Sequence, residues 1–177
     1  MRQSLLLKKN APQARTIREL SGEVDLFAPK HDPDSIVKVE NFQKLRGKPM
    51  ASPLLSSAGV ELNNLTREQA EALVKSESLD LECRQCEMEQ LATIDKVPHI
   101  TLQIKNPNQK LVALEFQDAD GHQITGTESW GSLDVANDWM SFEFDSKLPD
   151  TARLVIYLAT PKSLVKVPFS FTNVSLP

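Results

Sequence analysis

The sequence has few of the residues around which catalytic and metal sites are usually built. It contains 2 cysteines and 3 histidines in 177 residues. His31, His99 and His122 are neither paired nor at metal-ligand spacing. The sequence also lacks a Gly-x-Ser-x-Gly elbow, a His-Glu-x-x-His helix and a glycine-rich phosphate loop. We therefore expect a non-catalytic protein without a cofactor or a bound metal.

Long apolar runs are also missing. No window approaches the roughly 18 apolar residues of a transmembrane helix, and residues 5–7 are too short for a signal-peptide core. We expect no membrane-spanning segment and no export signal in this chain. Hydrophobic residues make up 40% and charged residues 25% of the chain, which is typical of a soluble globular protein.

The charge is distributed unevenly along the chain. The net charge is -4, and residues 115–150 hold 9 acidic residues against one basic residue, Lys147. Nucleic-acid binders depend on clustered lysine and arginine, so we expect no nucleic-acid partner. The acidic region is the best candidate surface for a protein or glycan partner. Its candidate binding residues are Asp118, Asp120, Trp130, Asp134, Asp138 and Trp139.

The acidic region can be interpreted as a plain solvated surface, as a calcium site or as a sugar-binding site. Asp118 and Asp120 offer carboxylates of the kind that calcium needs, although the twelve-residue loop of a specific calcium site is absent. A plain hairpin turn is the alternative. Trp130 and Trp139 flank polar residues able to bind a sugar, whereas Trp139 alone fits equally well as a cover for a sheet face.

Cys83 and Cys86 have the spacing of a redox dithiol or of half a zinc site. Residues 79–83 alternate like a strand, whereas later residues up to 94 approximate a helical face, so this segment fits either structure. The cysteines are read as two unlinked thiols, as a local disulfide or as a redox pair.

One helix is indicated near residues 66–75, where Thr66 and Gln69 form a capping box. Most of the remaining chain alternates between apolar and polar residues with a period of two, which predicts strands. We expect one strand from Arg15, one over residues 36–42 and a hairpin over residues 99–117, with further strands to the end of the chain. Pro168 places the last strand at a sheet edge. Its inward side chains are expected to be Val165, Val167, Phe169 and Phe171.

These strands predict an all-β fold, an antiparallel immunoglobulin-like β-sandwich with a short helical insertion. We expect a flexible tail over residues 1–14 and a single domain over residues 15–177, with the insertion around residues 64–78.

Residues 15–24, 111–121 and 167–177 together resemble strands of exported bacterial proteins that have immunoglobulin-like domains and no assigned activity. The resemblance implies a periplasmic or secreted location, with the export signal outside this chain. It implies no catalytic residue. The resulting hypothesis is a non-catalytic interaction or structural module of a bacterial envelope or secreted protein. The alternatives are a carbohydrate- or calcium-binding module, and a thiol-redox protein that uses Cys83 and Cys86.

Overall fold

The computed structural model describes residues 15–76, 98–134 and 137–175. Residue contacts divide the chain into two compact units. The described part of the first unit, residues 15–28 and 164–175, is called the ribbon unit here. The second unit, residues 29–163, is called the globular unit. The prediction of one domain over residues 15–177 stays a prediction, and the predicted tail over residues 1–14 lies outside the described residues.

The described residues form eleven strands and two α-helices. In chain order the strands are Thr16–Phe27 (β1), Ile36–Glu40 (β2), Lys48–Pro49 (β3), Glu61–Asn64 (β4), His99–Lys105 (β5), Leu111–Gln117 (β6), Gln123–Ile124 (β7), Thr127–Asp134 (β8), Asn137–Glu143 (β9), Arg153–Leu158 (β10) and Leu164–Ser175 (β11). The helices are Pro53–Ala58 (α1) and Arg67–Ser76 (α2). None of the described helices is both long enough and apolar enough to cross a membrane.

The globular unit contains two antiparallel sheets that share one hydrophobic core. One sheet has the order β2-β10-β6-β7 and the other the order β3-β4-β5-β9-β8. Both sheets contribute buried side chains to the core, for example Leu154 and Ile156 from β10 and Leu102 and Phe142 from the second sheet. The predicted all-β class is therefore confirmed, and the arrangement fits a β-sandwich.

Phe116 on β6 lies at the centre of this core. Its ring packs edge-on against Phe142 and Phe144, with ring centroids 4.9 Å and 5.1 Å away, and is tilted by 50° against the ring of Phe42 at 5.5 Å. Because Phe116 belongs to one sheet and Phe142 to the other, these edge-to-face contacts join the two sheets. Phe42 was expected at the end of a strand, but it lies in the 3-10 turn Phe42–Leu45 that follows β2.

Helix α2 begins with the predicted capping box. The backbone N–H of Gln69 donates to Thr66 Oγ1 at 3.3 Å, and the backbone N–H of Thr66 donates to Gln69 Oε1 at 3.0 Å. Leu65 and Ala70 are buried and attach the helix start to the globular unit. The short helix predicted near residues 66–75 is confirmed as Arg67–Ser76, whereas the predicted insertion bounds of 64–78 stay a prediction.

The hairpin predicted over residues 99–117 is wrong. Strand β5 pairs with β4 and β9, whereas β6 pairs with β10 and β7. The connection crosses from one sheet to the other, and within it Asn106 Oδ1 accepts from the backbone N–H groups of Lys110 at 2.7 Å and Leu111 at 3.2 Å. Two apolar-alternating segments joined by a short loop are typical of a hairpin, but the alternation does not specify which strand pairs with which.

The inward placement of the last strand is also wrong. Strand β11 pairs with β1 in a separate two-stranded ribbon, and the core cluster of described residues contains no side chain from either strand. Phe171 is 56% exposed and Val167 is 39% exposed. Alternation shows that one face of a strand is apolar, but it does not show what covers that face. The edge position predicted from Pro168 is confirmed, because each strand of a two-stranded sheet has a free edge.

A buried polar cluster holds together the two places where the chain enters and leaves the globular unit. Asp32 is 7% exposed, and its Oδ2 accepts from the Thr160 hydroxyl at 2.6 Å. Ser35 and Ser163 are fully buried beside it. Ser35 donates to the Asp32 carbonyl at 2.7 Å, and Ser163 Oγ accepts from the backbone N–H of Thr160 at 2.9 Å. Residues 29–35 and 160–163 are thereby fixed side by side.

Replacement of Thr160 by valine tests this cluster. The valine keeps the branched shape but removes the hydroxyl, so Asp32 Oδ2 loses its donor and the backbone N–H of Ser163 loses its side-chain acceptor. We expect Thr160→Val to lower the free energy of unfolding by about 1.5–3 kcal/mol, the range for a hydrogen bond to a charged group. Thr151→Val, at an exposed loop residue, should change it by no more than about 0.5 kcal/mol. Urea unfolding followed by circular dichroism measures both, and equal effects would contradict the assignment.

Replacement of Phe116 by alanine tests whether the two sheets of the globular unit share one core. Removing a fully packed ring leaves a cavity between the sheets, so we expect Phe116→Ala to lower the free energy of unfolding by about 3–5 kcal/mol. Val112→Ala is the matched control, because Val112 lies on the same strand and is 45% exposed. A loss below about 1 kcal/mol for Phe116→Ala would show that the two sheets do not share this core.

Candidate functional site

The acidic residues singled out in the sequence form a tight turn between β6 and β7. The backbone N–H groups of Asp120 and His122 both donate to Asp118 Oδ1 at 2.9 Å. The N–H of Gly121 donates to the Asp118 carbonyl at 3.2 Å, and Gly121 has the positive φ of 86° that glycine adopts without strain. The Arg153 guanidinium donates to the Ala119 carbonyl at 2.5 Å. The turn is therefore stabilised by its own side chain and by the neighbouring strand.

Hydrogen bonding to this carboxylate alters its acidity. The backbone N–H of His122 is the main cause that lowers the pKa of Asp118 below its ordinary value, with smaller contributions from the His122 ring and the Asp120 backbone N–H. The ionised form is the one that accepts these hydrogen bonds. Asp118 thus acts as a structural acceptor within the turn.

Asp118, Asp120 and His122 are close enough to hold a cation together. Their potential ligand atoms all lie within 4.8 Å of one another. Calcium, however, needs six to eight oxygen ligands, and Asp118 Oδ1 already accepts two N–H groups. Since His122 is 80% exposed, the arrangement matches a self-stabilised hairpin turn better than a built metal site. Calcium binding at Asp118 and Asp120 stays a prediction.

The other residues of the predicted acidic surface lie in the second sheet, on the hairpin of β8 and β9. In the strand register Trp130 pairs with Met140, whereas Trp139 pairs with Gly131. Trp130 and Trp139 are therefore not cross-strand partners of each other. Trp139 is 2% exposed, so its ring does not present a face to a ligand. The alternative interpretation of Trp139 as a covering residue fits this burial.

Asp134 and Asp138 lie near the end of the same hairpin, where Asp134 pairs with Asn137 and Asp138 pairs with Ser132 and Ile104. The structure therefore brings Asp118 and Asp120 together at one turn. It places Asp134 and Asp138 in a different sheet.

Cys83 and Cys86 lie outside the described residues, so the alternatives for this pair stay predictions.

His99 begins β5, as expected for a histidine at the start of a strand. Its Nε2 lies 2.9 Å from Thr101 Oγ1 and 3.4 Å from Ser141 Oγ. Thr101 is buried, and the three side chains form a polar row along β5 and across to β9. This row links neighbouring positions of β5 and β9 through side-chain hydrogen bonds.

The feature that most resembles a binding surface was missed in the sequence. It is one face of the ribbon formed by β1 and β11, on which every member of four successive cross-strand pairs is uncharged and nonpolar. The pairs are Leu20 with Phe171, Gly22 with Phe169, Val24 with Val167, and Leu26 with Val165. These eight residues are called the apolar face below. Directly opposed residues of an antiparallel pair project to the same side, so the face is continuous.

Much of the apolar face is accessible. Phe171 is 56% exposed, Leu26 51%, Val24 42% and Val167 39%. Four of the five large hydrophobic side chains that the described residues expose belong to this face. Soluble monomers rarely expose contiguous apolar surface of this kind unless it binds something.

Gly22 and Phe169 show that the face is packed along the ribbon. A Cβ at Gly22 would lie 2.9 Å from Phe169 Cζ, so the phenyl ring lies over the glycine of the opposite strand. The Phe169 and Phe171 rings contact each other, with centroids 5.7 Å apart. An aromatic ring that covers a cross-strand glycine stabilises a two-stranded ribbon and fixes its register.

The opposite face of the ribbon is polar over its middle part, between the apolar pairs Ile17 with Val174 and Phe27 with Leu164 at its two ends. It carries Glu19, Ser21, Glu23 and Asp25 on β1, and Pro168 and Lys166 lie opposite Glu23 and Asp25 on β11. Lys166 Nζ lies 3.3 Å from Glu23 and 4.0 Å from Asp25. The ribbon is therefore amphipathic. The signal for it was present in the sequence, since the residues between the apolar positions of β1 are largely charged.

Comparisons of the chain with known protein families, with curated proteins and with solved structures find no match. The assignment of function therefore depends on the geometry of the chain itself.

The pKa of Asp118 gives a direct test of the β6–β7 turn. The folded pKa is lowered from 3.8, so the turn is stabilised by ionised Asp118 at pH values above 3.8, and this stabilisation is lost as the pH falls through the lowered folded value. A carboxyl-detected NMR titration should place Asp118 below 3.8, and Asp118→Ala should lower the melting temperature at pH 7 more than at pH 2. Asp118→Asn, which keeps an acceptor oxygen, is the control and should lower it less. An Asp118 pKa of 3.8 or above would contradict the hydrogen-bonded turn.

Proposed function

We propose that the chain is a non-catalytic interaction module that binds its partner through the apolar face of the ribbon. The single observation that carries the proposal is a run of four successive apolar cross-strand pairs, three of which expose large hydrophobic side chains, with Phe171 56% exposed and Leu26 51% exposed. An isolated two-stranded ribbon is marginally stable in water. A partner that covers the apolar face would supply the burial that the ribbon lacks.

The proposal extends to the fold family and the location. The two sheets that share the core of the globular unit support an immunoglobulin-like sandwich, a fold in which function depends on surface sites. The likeness of residues 15–24, 111–121 and 167–177 to exported bacterial proteins supports a periplasmic or secreted structural protein. Two of these three segments include parts of the ribbon strands, where the proposed binding surface lies.

A dye whose fluorescence rises on apolar surfaces tests the proposal without knowledge of the partner. At about 1 µM protein, where weak complexes dissociate, bis-ANS should bind the unmodified chain. Val24→Ser and Phe171→Ser together should remove most of the fluorescence gain because they make the centre and one end of the face polar. Val112→Ser is the control, because Val112 is 45% exposed on the globular unit. Equal fluorescence from the double variant and the unmodified chain would contradict the proposed surface.

A further inference from the structure

We propose that the partner of the apolar face is a second copy of this chain, packed face to face and antiparallel about a two-fold axis. This inference rests on the proposed function and names the occupant of the same surface. Four features of the ribbon favour a second copy: the blocked strand edges, the absence of charge on the face, the distribution of large and small side chains, and the area.

The strand edges of the ribbon do not favour the addition of another strand. Pro168 lies within β11 opposite Glu23 and has no backbone N–H to offer at the outer edge. The other strand, β1, carries Glu19, Glu23 and Asp25, so two β1 edges would bring together like charges. A partner that covers the ribbon must therefore bind its apolar face.

The absence of charge on the face favours an identical partner. None of the eight residues is ionisable, so two copies meet without like-charge repulsion. An acidic or basic peptide would find no opposite charge there. Arg18 precedes Leu20 at one end, and the face lacks the row of lysine and arginine that binds an anionic lipid surface.

The side chains are distributed so that the face complements itself. One half carries the larger residues Leu20, Phe169 and Phe171 around Gly22, and the other half carries Val24, Val165 and Val167 with Leu26. A two-fold axis between the Gly22 and Val24 positions places Leu20 of one copy over Leu26 of the other. The phenyl rings of each copy then lie over the valines of its partner. Interdigitation of large and small side chains is the packing that sheet interfaces require.

The area of the face places the dimer among small, weak interfaces. Seven residues per strand give a face about 24 Å long and about 10 Å wide. With large apolar side chains standing on it, such a face offers on the order of 500 Å² of accessible surface. Two faces together bury about 1,000 Å², which is the lower limit for a specific interface. We therefore expect a reversible dimer with a dissociation constant in the micromolar range.

Sedimentation velocity tests the dimer. The unmodified chain should shift from the monomer toward twice its mass between about 1 µM and about 500 µM. Val24→Glu and Val24→Lys should each weaken association at least about tenfold, because each places a charge at the centre of the interface. Ser21→Glu and Ser21→Lys are the matched controls, since Ser21 is exposed on the polar face of the same strand, and both should dimerise normally. Phe171→Ser provides a second weakening variant on β11.

Mixing the two charged variants identifies the occupant. A one-to-one mixture of Val24→Glu and Val24→Lys should associate more tightly than either variant does separately, because opposite charges then meet across the two-fold axis. This recovery also shows that both variants are folded. Failure of the mixture to associate, or equal association of Val24→Glu and the unmodified chain, would contradict the proposal.

The results separate this inference from the proposed function. A chain that stays monomeric up to about 500 µM and still binds bis-ANS at the face overturns self-association and leaves the interaction surface in place. A monomer whose face binds no dye overturns both proposals. Normal association of Ser21→Glu and Ser21→Lys would show that the loss of association in the Val24 variants arises on the apolar face and not on the polar face.

Discussion

An antiparallel sheet with one apolar face needs another surface to cover that face, and this requirement governs both units of the chain. In the globular unit the two sheets cover each other, and Phe116 of one sheet packs edge-on against Phe142 of the other. The ribbon has the same alternation, but Phe171 and Leu26 remain exposed. The same physical driving force thus gives a closed core in one unit and an open face in the other.

The local structure of the chain follows directly from its sequence. The capping box of Thr66 and Gln69 predicts helix α2 because both hydrogen bonds join residues three apart. The Asp118 turn is equally local. Strand pairing is not, since β5 and β6 are neighbours in sequence and belong to different sheets. The placement of Phe169 and Phe171 on an exposed ribbon depends on the pairing of the two ends of the described chain, which alternation within one strand does not encode.

The acidic region shows how a charged cluster acquires a structural role. Asp118 accepts two backbone N–H groups, and Arg153 donates to the same turn, so the carboxylate stabilises the chain reversal before any ligand is considered. Trp139, which the sequence offers as a stacking surface, is buried in the second sheet. Composition identifies which side chains are chemically suited to binding, whereas burial decides which of them are accessible.

The hydrogen bond between Asp32 and Thr160 joins the first and last turns of the globular unit, so residues 29–163 start and finish at neighbouring points. Phe27 and Leu164 continue from those points as a cross-strand pair. Topologically, the globular unit is an insertion at the tip of a hairpin. Insertions whose ends lie close together can be exchanged without disturbing the host. Residues 29–163 could thus be replaced as one block between Phe27 and Leu164, because only two closely spaced connections would have to be rejoined.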